Sequence, residues 1–365
     1  MQGFARFLFL VSFAVELSRA IPLPLAEAGQ SGCSSRKSTW TATESTVWLS
    51  ICQSGTFDFN KSLRADANPD AVSQFSSRRS LSGKFIETIL AAPFNKYLKT
   101  GRVEIIGAWI TGSIDLSNTT VVNEVFLEDS RIDAFFRATG TIFSRKVSFQ
   151  GSTLSRPLDV SGAVFQSSFY LGNEDSDSRH KSEPPDPLYN VPRRTLSRVL
   201  FEGAHIDGDL YIKHFRTVDP LIANNAIIKG HLILKECSTG EIQLESIEVG
   251  KQLNIVGCAV TPSQAGQAAL DLAFARVKDG VWLNRSYFGS DVRLNDISVD
   301  RGIFLSGADL HTVYLTRAIV LGVIAFGENT RRTSKEIDFT KWSKDSLLDL
   351  KDAASAQFPS ALIRG

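Results

Sequence analysis

Two aspartates, Asp115 and Asp159, stand where their carboxyl groups could take part in cleaving a glycosidic bond. Each stands between two apolar residues, so a β-strand would present its carboxyl group on the outside. Glycoside cleavage needs two carboxyl groups that converge in one groove, about 5–10 Å apart. Asp207 and Asp209 form a second acidic pair that could fill the same role. These four carboxylates make a polysaccharide-active enzyme the alternative function.

Arg137 argues against catalysis by the first of these pairs. It stands 22 residues after Asp115 and 22 residues before Asp159, so units that stack at this interval would line up an acid, a cation and a second acid. Such a line is typical of a ladder of surface ion pairs, in which each pair contributes roughly 0–1 kcal/mol. A non-catalytic protein is therefore the favoured interpretation.

The other reactive residue types form no catalytic or metal-binding motif. The sequence contains no Cys-x-x-Cys, no His-Glu-x-x-His, no Gly-x-Ser-x-Gly and no glycine loop of the phosphate-binding kind. His205 and His231 fall at outward positions of the repeat, where a solvated side chain is expected. We therefore predict no catalytic residue, no bound metal and no cofactor. The five histidines are scattered: His180, His205, His214, His231 and His311.

The four cysteines fall into two pairs. Cys33 and Cys52 lie in a Ser/Thr-rich N-terminal segment, which a disulfide between them could staple. Cys237 and Cys258 each follow an apolar–x–apolar unit by three residues, which would place them in neighbouring coils with Cα atoms roughly 5 Å apart, inside the range for a disulfide. Two buried thiols that fill a small core position are the other interpretation.

A repeat of eleven residues carries most of these side chains and runs from Val103 to Phe326. Each unit has a small residue, an apolar residue two places on, and further apolar residues six and eight places on. Self-similar units of this kind bury their apolar faces against one another and so form a solenoid. The small position of the first six units is filled by Ala108, Thr119, Ser130, Thr141, Ser152 and Ala163.

The repeating unit is predicted to be a β-strand. Its apolar–x–apolar core, as in Ile114-Asp115-Leu116, has the period of two that a strand with one buried face requires. The residue before each small position is of a type that tolerates the left-handed backbone of a turn. These residues are Gly107, Asn118, Asp129, Gly140, Gly151 and Gly162.

Two units make one coil of about 22 residues, and about nine coils follow one another. We therefore predict an all-β chain that forms a right-handed parallel β-helix over residues 103–327, since parallel crossovers are right-handed. At about 4.8 Å per strand it would be on the order of 40 Å long. Residues 173–194 and 261–268 interrupt the repeat and are predicted to be loop insertions.

One outward line of the repeat is unusually apolar. Tyr211, Ile233, Asn254, Trp282 and Phe304 occupy the middle position of successive units and should lie on one face. Large aromatic side chains at outward positions often mark a binding or self-association surface. We predict that Tyr211, Trp282 and Phe304 bind a protein or a glycan, or a second copy of the chain. Cover by the insertion or by the C-terminal tail is the alternative.

The two ends of the chain differ from the repeat. Residues 1–20 are predicted to be a signal peptide cleaved after Ala20, because Arg6 precedes an apolar run and small residues precede the cleavage site. An uncleaved membrane anchor or a wrongly assigned start residue is the alternative. Residues 21–81 form a Ser/Thr-rich segment, 82–102 a capping helix with its lead-in, and 328–365 a C-terminal tail. The helix, over 82–92, would cover the open end of the β-helix.

The unit sequence resembles that of a known group. The segments Gly107-Ala-Trp-Ile-Thr-Gly-Ser-Ile-Asp-Leu116 and Gly203-Ala-His-Ile-Asp-Gly-Asp-Leu-Tyr-Ile212 are similar to the repeats of bacterial β-helix proteins related to the pentapeptide-repeat group. The resemblance covers residues 80–355 and departs from strict pentapeptide repeats in its spacing of eleven. It implies a fold and no activity.

The expected function follows from these observations together. The formal net charge of +1 and the lack of a basic stripe argue against a nucleic-acid partner. The sequence predicts a periplasmic or secreted β-helix that acts without catalysis, as a scaffold or a binding protein.

Overall fold

The computed structural model describes residues 31–173 and 194–325, which form a parallel β-helix of about nine turns behind an N-terminal helical segment. The predicted β-helix is therefore confirmed. The predicted signal peptide, most of the first insertion and the C-terminal tail lie outside the described residues.

Four parallel sheets, named here A to D, make up the wall of the β-helix. The strands of sheet A, in order, are Thr56–Asp58, Arg102–Ile106, Glu124–Glu128, Val147–Gln150, Phe169–Gly172, Leu210–Lys213, Leu232–Lys235, Leu253–Val256, Gly280–Trp282, Gly302–Phe304 and Val323–Ala325. The strands of sheet B are Ser80–Ser82, Trp109–Asp115, Arg131–Arg137, Leu158–Asp159, Val199–Leu200, Leu221–Ile222, Ile242–Gln243, Leu270–Asp271, Val292–Arg293 and Val313–Tyr314, with Thr153–Leu154 paired to Arg131–Arg137.

The two remaining sheets consist of two-residue strands at the corners. Sheet C contains Thr120–Val121, Ile142–Phe143, Val164–Phe165, His205–Ile206, Ile227–Ile228, Glu248–Val249, Arg276–Val277, Ser298–Val299 and Ile319–Val320. Sheet D contains Arg194–Thr195, Phe215–Arg216, Ser238–Thr239, Ala259–Val260 and Tyr287–Phe288. A complete coil passes through sheets A, D, B and C in that order.

The register of the strands gives the length of a coil. Ile110 pairs with Ile132, 22 residues later, as two eleven-residue units per coil require. Leu253 pairs with Val281, 28 residues later, because the insertion at 261–268 lengthens that coil without shifting the strands. The loop is thus added at a corner, and the stack of apolar residues continues past it.

Left-handed residues turn the corners of the coil. All six residues that the sequence places before the small positions have positive φ, between 46° at Asp129 and 70° at Gly107 and Gly151. Later coils place other residue types at the same corner, including Phe274 with φ 60°. Each corner redirects the chain so that the following small residue points inward.

The core consists of apolar side chains stacked in register from coil to coil. Phe143 and Phe165 stack with ring centroids 4.8 Å apart, and both side chains are buried. Buried small residues add hydrogen bonds between coils, because the Ser130 hydroxyl accepts from the amide of Ala108 at 3.0 Å and Ser152 accepts from Ser130 in the same way. These coils therefore contribute both apolar area and satisfied polar groups to their neighbours.

A group of helices covers the N-terminal end of the β-helix. The predicted capping helix is found at Gly83–Leu90; Ser82 caps it by accepting from the amide of Phe85, and its apolar side chains are buried. Three more α-helices precede it within the segment predicted to be Ser/Thr-rich. They are Ser31–Ser34, Ala42–Ser54 and Phe59–Leu63, and single 3₁₀ turns lie at Val72–Gln74, Ser77–Arg79 and Phe94–Tyr97.

A buried carboxylate joins the helices to the first coil. Glu44, in the first turn of Ala42–Ser54, accepts from the amide and the hydroxyl of Ser82 and from the amide of Thr41. Burial alone would raise the pKa of Glu44, but the hydrogen bonds from Ser82 and Thr41 outweigh it, so the pKa is lowered. The helical segment is therefore an integral end of the solenoid.

Both cysteine pairs are joined as disulfides. Cys33 and Cys52 connect the first two helices, with Cα atoms 5.6 Å apart. Cys237 and Cys258 occupy the same corner of neighbouring coils, with Cα atoms 4.4 Å apart and both side chains buried. The second disulfide cross-links two consecutive turns of the solenoid.

Removing this cross-link should weaken the β-helix. Because the bridge restricts the unfolded chain over a loop of 21 residues, we expect Cys237→Ala with Cys258→Ala to lower the free energy of unfolding by about 2–4 kcal/mol. Urea denaturation of the variant and the wild type under oxidising conditions measures the difference. Identical unfolding midpoints and slopes would show that the bridge contributes nothing to stability.

Candidate functional site

The outer face of sheet A contains a column of side chains, one from each coil. The register places Tyr211, Ile233, Asn254, Trp282 and Phe304 in line in consecutive coils. The same column continues toward the N-terminus with two aromatic residues outside the predicted line, Tyr170 and Phe126. We refer to Phe126, Ser148, Tyr170, Tyr211, Ile233, Asn254, Trp282 and Phe304 as the aromatic column.

At the C-terminal end of the column, Trp282 and Phe304 form a stacked pair. Their ring centroids are 4.9 Å apart and their planes differ by 14°. Both side chains are partly exposed, although their neighbours Val281 and Ile303 are buried in the core. The two rings stack on each other across adjacent strands, so their edges are directed away from the sheet.

Glycine provides the space for the indole. A Cβ atom at Gly280 would lie 2.8 Å from Cη2 of Trp282, so the ring leans back along its own strand over that glycine. Gly302 pairs with Gly280 in the next coil and stands two residues before Phe304. On the other side of the rings stand the short polar residues Asn284 and Ser306. The stacked pair is thus flanked by small side chains.

This arrangement predicts the effect of a single added methyl group. Gly280→Ala should push the indole away from its position, because a contact of 2.8 Å is too short for two carbon atoms, and lower the free energy of unfolding by about 1–3 kcal/mol. Chemical denaturation measures the loss. In a Trp282→Ala background the same change should cost clearly less, and an equal cost in both backgrounds would show that the ring does not lie over Gly280.

The N-terminal half of the column differs, because cations of the chain itself lie over its rings. The Arg102 guanidinium lies 4.2 Å from the centroid of Phe126. Lys146 Nζ lies 4.1 Å from the centroid of Tyr170 and 5.3 Å from that of Phe126. Lys213 Nζ lies 5.2 Å from the centroid of Tyr211. These are cation–π contacts, which stabilise by about 0.5–2 kcal/mol each.

Tyr170 and Tyr211 form a second stacked pair in this half, with centroids 4.9 Å apart and planes 15° apart. The Tyr211 hydroxyl donates to Asp209 Oδ2 at 3.0 Å. Burial and this hydrogen bond raise the pKa of Tyr211 to about 12. Tyr211 is therefore a neutral donor held in place by its neighbours, and it has no acid–base role near neutral pH.

Two glutamates lie beside the N-terminal end of the column. Burial raises the pKa of Glu128, and the nearby charge of Glu104 acts in the same direction, although the hydroxyl of Ser148 donates to Glu128. Both oxygens of Glu104 are engaged, one by Arg102 at 2.7 Å and the other by Thr56 at 2.6 Å. Glu128 therefore has a raised pKa, but its neighbour Glu104 is occupied by an ion pair and a hydrogen bond.

The four aspartates considered for catalysis are not brought together. Asp115 and Asp159 lie on the outer face of sheet B, in register on either side of Arg137. Hydrogen bonds from Ser117 lower the pKa of Asp115, and the charge of Arg137 acts in the same direction. The line of alternating charges that the sequence predicts is thus present on sheet B.

The other two aspartates lie elsewhere, between sheets C and A. Asp207 contacts Lys229 Nζ at 2.6 Å and His205 Nε2 at 3.1 Å, and the hydrogen bond from Lys229 lowers its pKa, with a further contribution from His205. Asp209 accepts from Tyr211 and from the amide of His231 at 2.7 Å. Both acids are occupied by neighbours on their own coils or the next one. These four aspartates therefore do not place two free carboxylates in one groove.

A small polar cleft lies on the opposite side, where the 261–268 loop rests on sheet B. Its volume is ≈ 210 Å³, and it is lined by Asn224, Glu241, Gln243, Glu245, Gly266, Gln267, Ala268, Asp271 and Arg293. Gln243 donates to Glu241 at 2.7 Å, and Arg293 pairs with Asp271 at 3.5 Å. Over residues 31–173 and 194–325, no three acidic, histidine or cysteine side chains are grouped as a metal would require.

Comparisons with known proteins add no assignment. No protein-family model, no curated protein and no solved structure matches the chain. None of the helices in the part of the chain that the structure describes is long and apolar enough to span a membrane.

Proposed function

We propose that this protein is an exported, non-catalytic β-helix that binds a protein or a glycan through the outer face of sheet A. The observation that carries the proposal is the stacked pair of Trp282 and Phe304, which is partly exposed on the outside of the wall. Each ring would contribute about 1.5–3 kcal/mol if it were fully buried, so leaving them in water has a cost that folding does not explain.

The rest of the chain supports a scaffold rather than an enzyme. The candidate acids are separated between sheet B and the corner before sheet A, and each is held by neighbouring side chains or amides. The β-helix itself provides a long, rigid wall whose columns of side chains are fixed by register. A surface of this kind can present one set of contacts without any moving part.

Two disulfides support export, because such bonds persist in oxidising compartments. The proposed location is the periplasm or the exterior of the cell. The resemblance of the repeats to bacterial β-helix proteins related to the pentapeptide-repeat group is consistent with this origin, and we propose that relation as well.

Export makes a direct prediction about the N-terminus. The mature chain is expected to begin near Ile21 and to be found outside the cytoplasm, because a signal peptidase would cut after Ala20. N-terminal sequencing of the protein from fractionated cells is the measurement. An intact Met1 in the cytosolic fraction would contradict export.

The binding proposal is tested by a screen with the chain from Ile21 to Gly365. The immobilised protein is exposed to a glycan array and, separately, to the exported proteins of the producing cells. We expect a ligand that is retained by the wild type and by Tyr314→Ala, which removes an exposed aromatic residue from sheet B. Loss of the ligand on Tyr314→Ala would place the binding surface on sheet B and contradict the proposal.

A further inference from the structure

We propose that the Trp282–Phe304 pair binds an arginine side chain of a partner polypeptide. This inference rests on the proposed function and specifies the chemistry of the ligand. It starts from a contrast within the aromatic column, between rings that have a cation of their own and rings that do not.

Three of the five aromatic residues have a cation supplied by the chain. Arg102 covers Phe126, Lys146 covers Tyr170, and Lys213 covers Tyr211 at 4.2, 4.1 and 5.2 Å from the ring centroids. Each cation stands two places before or after the column position of its own coil. Arg102 and Lys146 cover the ring of the next coil, whereas Lys213 covers the ring of its own coil.

The Trp282–Phe304 pair has no such cation among the residues that the structure describes. The positions two residues before the column are Gln252 in the preceding coil and Gly280 and Gly302 in the coils of the pair, and the positions two residues after it are Asn284 and Ser306. Asn284 accepts a hydrogen bond from the amide of Ser306 at 3.0 Å, which links its coil to the next one. The positions that carry Arg102, Lys146 and Lys213 elsewhere are uncharged here, which leaves the rings accessible to a cation from outside.

Indole is the aromatic group that attracts cations most strongly, and guanidinium is the cation that stacks best on rings. The rings lie on an open strand face flanked by small residues rather than in a cleft, whereas sites for small molecules are usually concave. A flat face of this kind fits a macromolecular surface. These features favour a polypeptide over a glycan.

The test supplies the missing cation from within the chain. Ser306→Lys places a lysine beside Phe304 at the position that Lys213 occupies beside Tyr211. The ammonium group of this lysine should compete with an external arginine for the Trp282–Phe304 pair. Ser306→Met, of similar length and without charge, is the matched control. The probe is a fluorescent peptide of alternating arginine and glycine, and its counterpart has citrulline in place of arginine.

Fluorescence anisotropy at 0.15 M salt gives the dissociation constants. We expect the arginine peptide to bind the wild type and Ser306→Met about tenfold more tightly than Ser306→Lys, and to bind Trp282→Ala/Phe304→Ala at least as weakly as Ser306→Lys. The citrulline peptide should bind all four weakly. Equal affinity for the two peptides, or for the two Ser306 variants, would overturn the inference. Melting temperatures of all four proteins identify any variant that has failed to fold.

The proposed function can survive the failure of this inference. If the arginine peptide shows no preference but a glycan or an exported protein from the screen still depends on Trp282 and Phe304, the face binds a partner without a cation. In that outcome the arginine assignment is wrong and the binding face remains.

Discussion

Replacement of Leu158 by aspartate is expected to unfold the stack of coils. Leu158 is 0 % exposed in sheet B and lies in register between Phe136 and Val199 of the adjacent coils. A carboxylate at this position would have apolar neighbours on both sides, and the cost of burying an unpaired charge exceeds the few kcal/mol by which most domains are stable. Circular dichroism should show loss of β-structure and of a cooperative thermal transition.

Arg156→Asp is the matched control for this prediction. It introduces the same carboxylate two residues earlier, at an exposed position of the same turn. We expect its melting temperature to stay close to that of the wild type. A normal transition in Leu158→Asp would contradict the inward assignment of the whole apolar column to which Leu158 belongs.

The second large effect is expected on binding rather than on folding. Trp282→Ala combined with Phe304→Ala should weaken the affinity for the partner by more than tenfold, because aromatic anchors dominate the energy of most interfaces. Stability should change little, since the rings are partly exposed and their stacking contributes only about 0.5–1.5 kcal/mol beyond burial. A shift of a few degrees in melting temperature is the expected result.

Tyr170→Ala with Tyr211→Ala provides a control from the same column. These rings also stack, at the same centroid distance of 4.9 Å, but lysines of the chain lie over them. The control should lose stability and keep binding. If instead Trp282→Ala/Phe304→Ala melts far below the wild type, the pair is a structural element covered by other parts of the chain, and the binding face proposed here does not exist.

The sequence predicts the solenoid well because each residue of the repeat has the same environment in every coil. An apolar–x–apolar unit can bury both apolar residues only as a strand, and the left-handed corner residues fix the spacing between units. The positions of Cys237 and Cys258 follow from the same argument, because residues at equivalent places in successive coils must be neighbours. The solenoid also starts earlier than predicted, since Thr56–Asp58 and Ser80–Ser82 pair with the first repeat strands.

The three helices that precede the capping helix were missed because they follow no repeat. Their strongest signal was the capping box of Thr41 and Glu44, in which the side chain of each bonds to the backbone of the other. The buried contacts of Glu44 with Ser82 could not be predicted, since they join residues 38 positions apart that belong to no common pattern.

Phe126 and Tyr170 of the aromatic column were missed for a different reason. Tyr170 and Tyr211 are paired across the first insertion, so their spacing of 41 residues does not match the period of the coil. Once the register is known, Phe126 and Tyr170 are found at the same middle position as Tyr211 in their own units. The cations that cover these rings stand at flanking positions that the apolar pattern does not define.

Site-specific photocrosslinking tests most directly whether a partner contacts sheet A. Benzoylphenylalanine is placed at Ser306, beside the Trp282–Phe304 pair, or at Tyr314 on the outer face of sheet B, and each protein is irradiated with the ligand found in the screen. The proposed function predicts a covalent adduct from position 306 and none from position 314. An adduct from position 314 alone, or from neither position while binding persists, would contradict it.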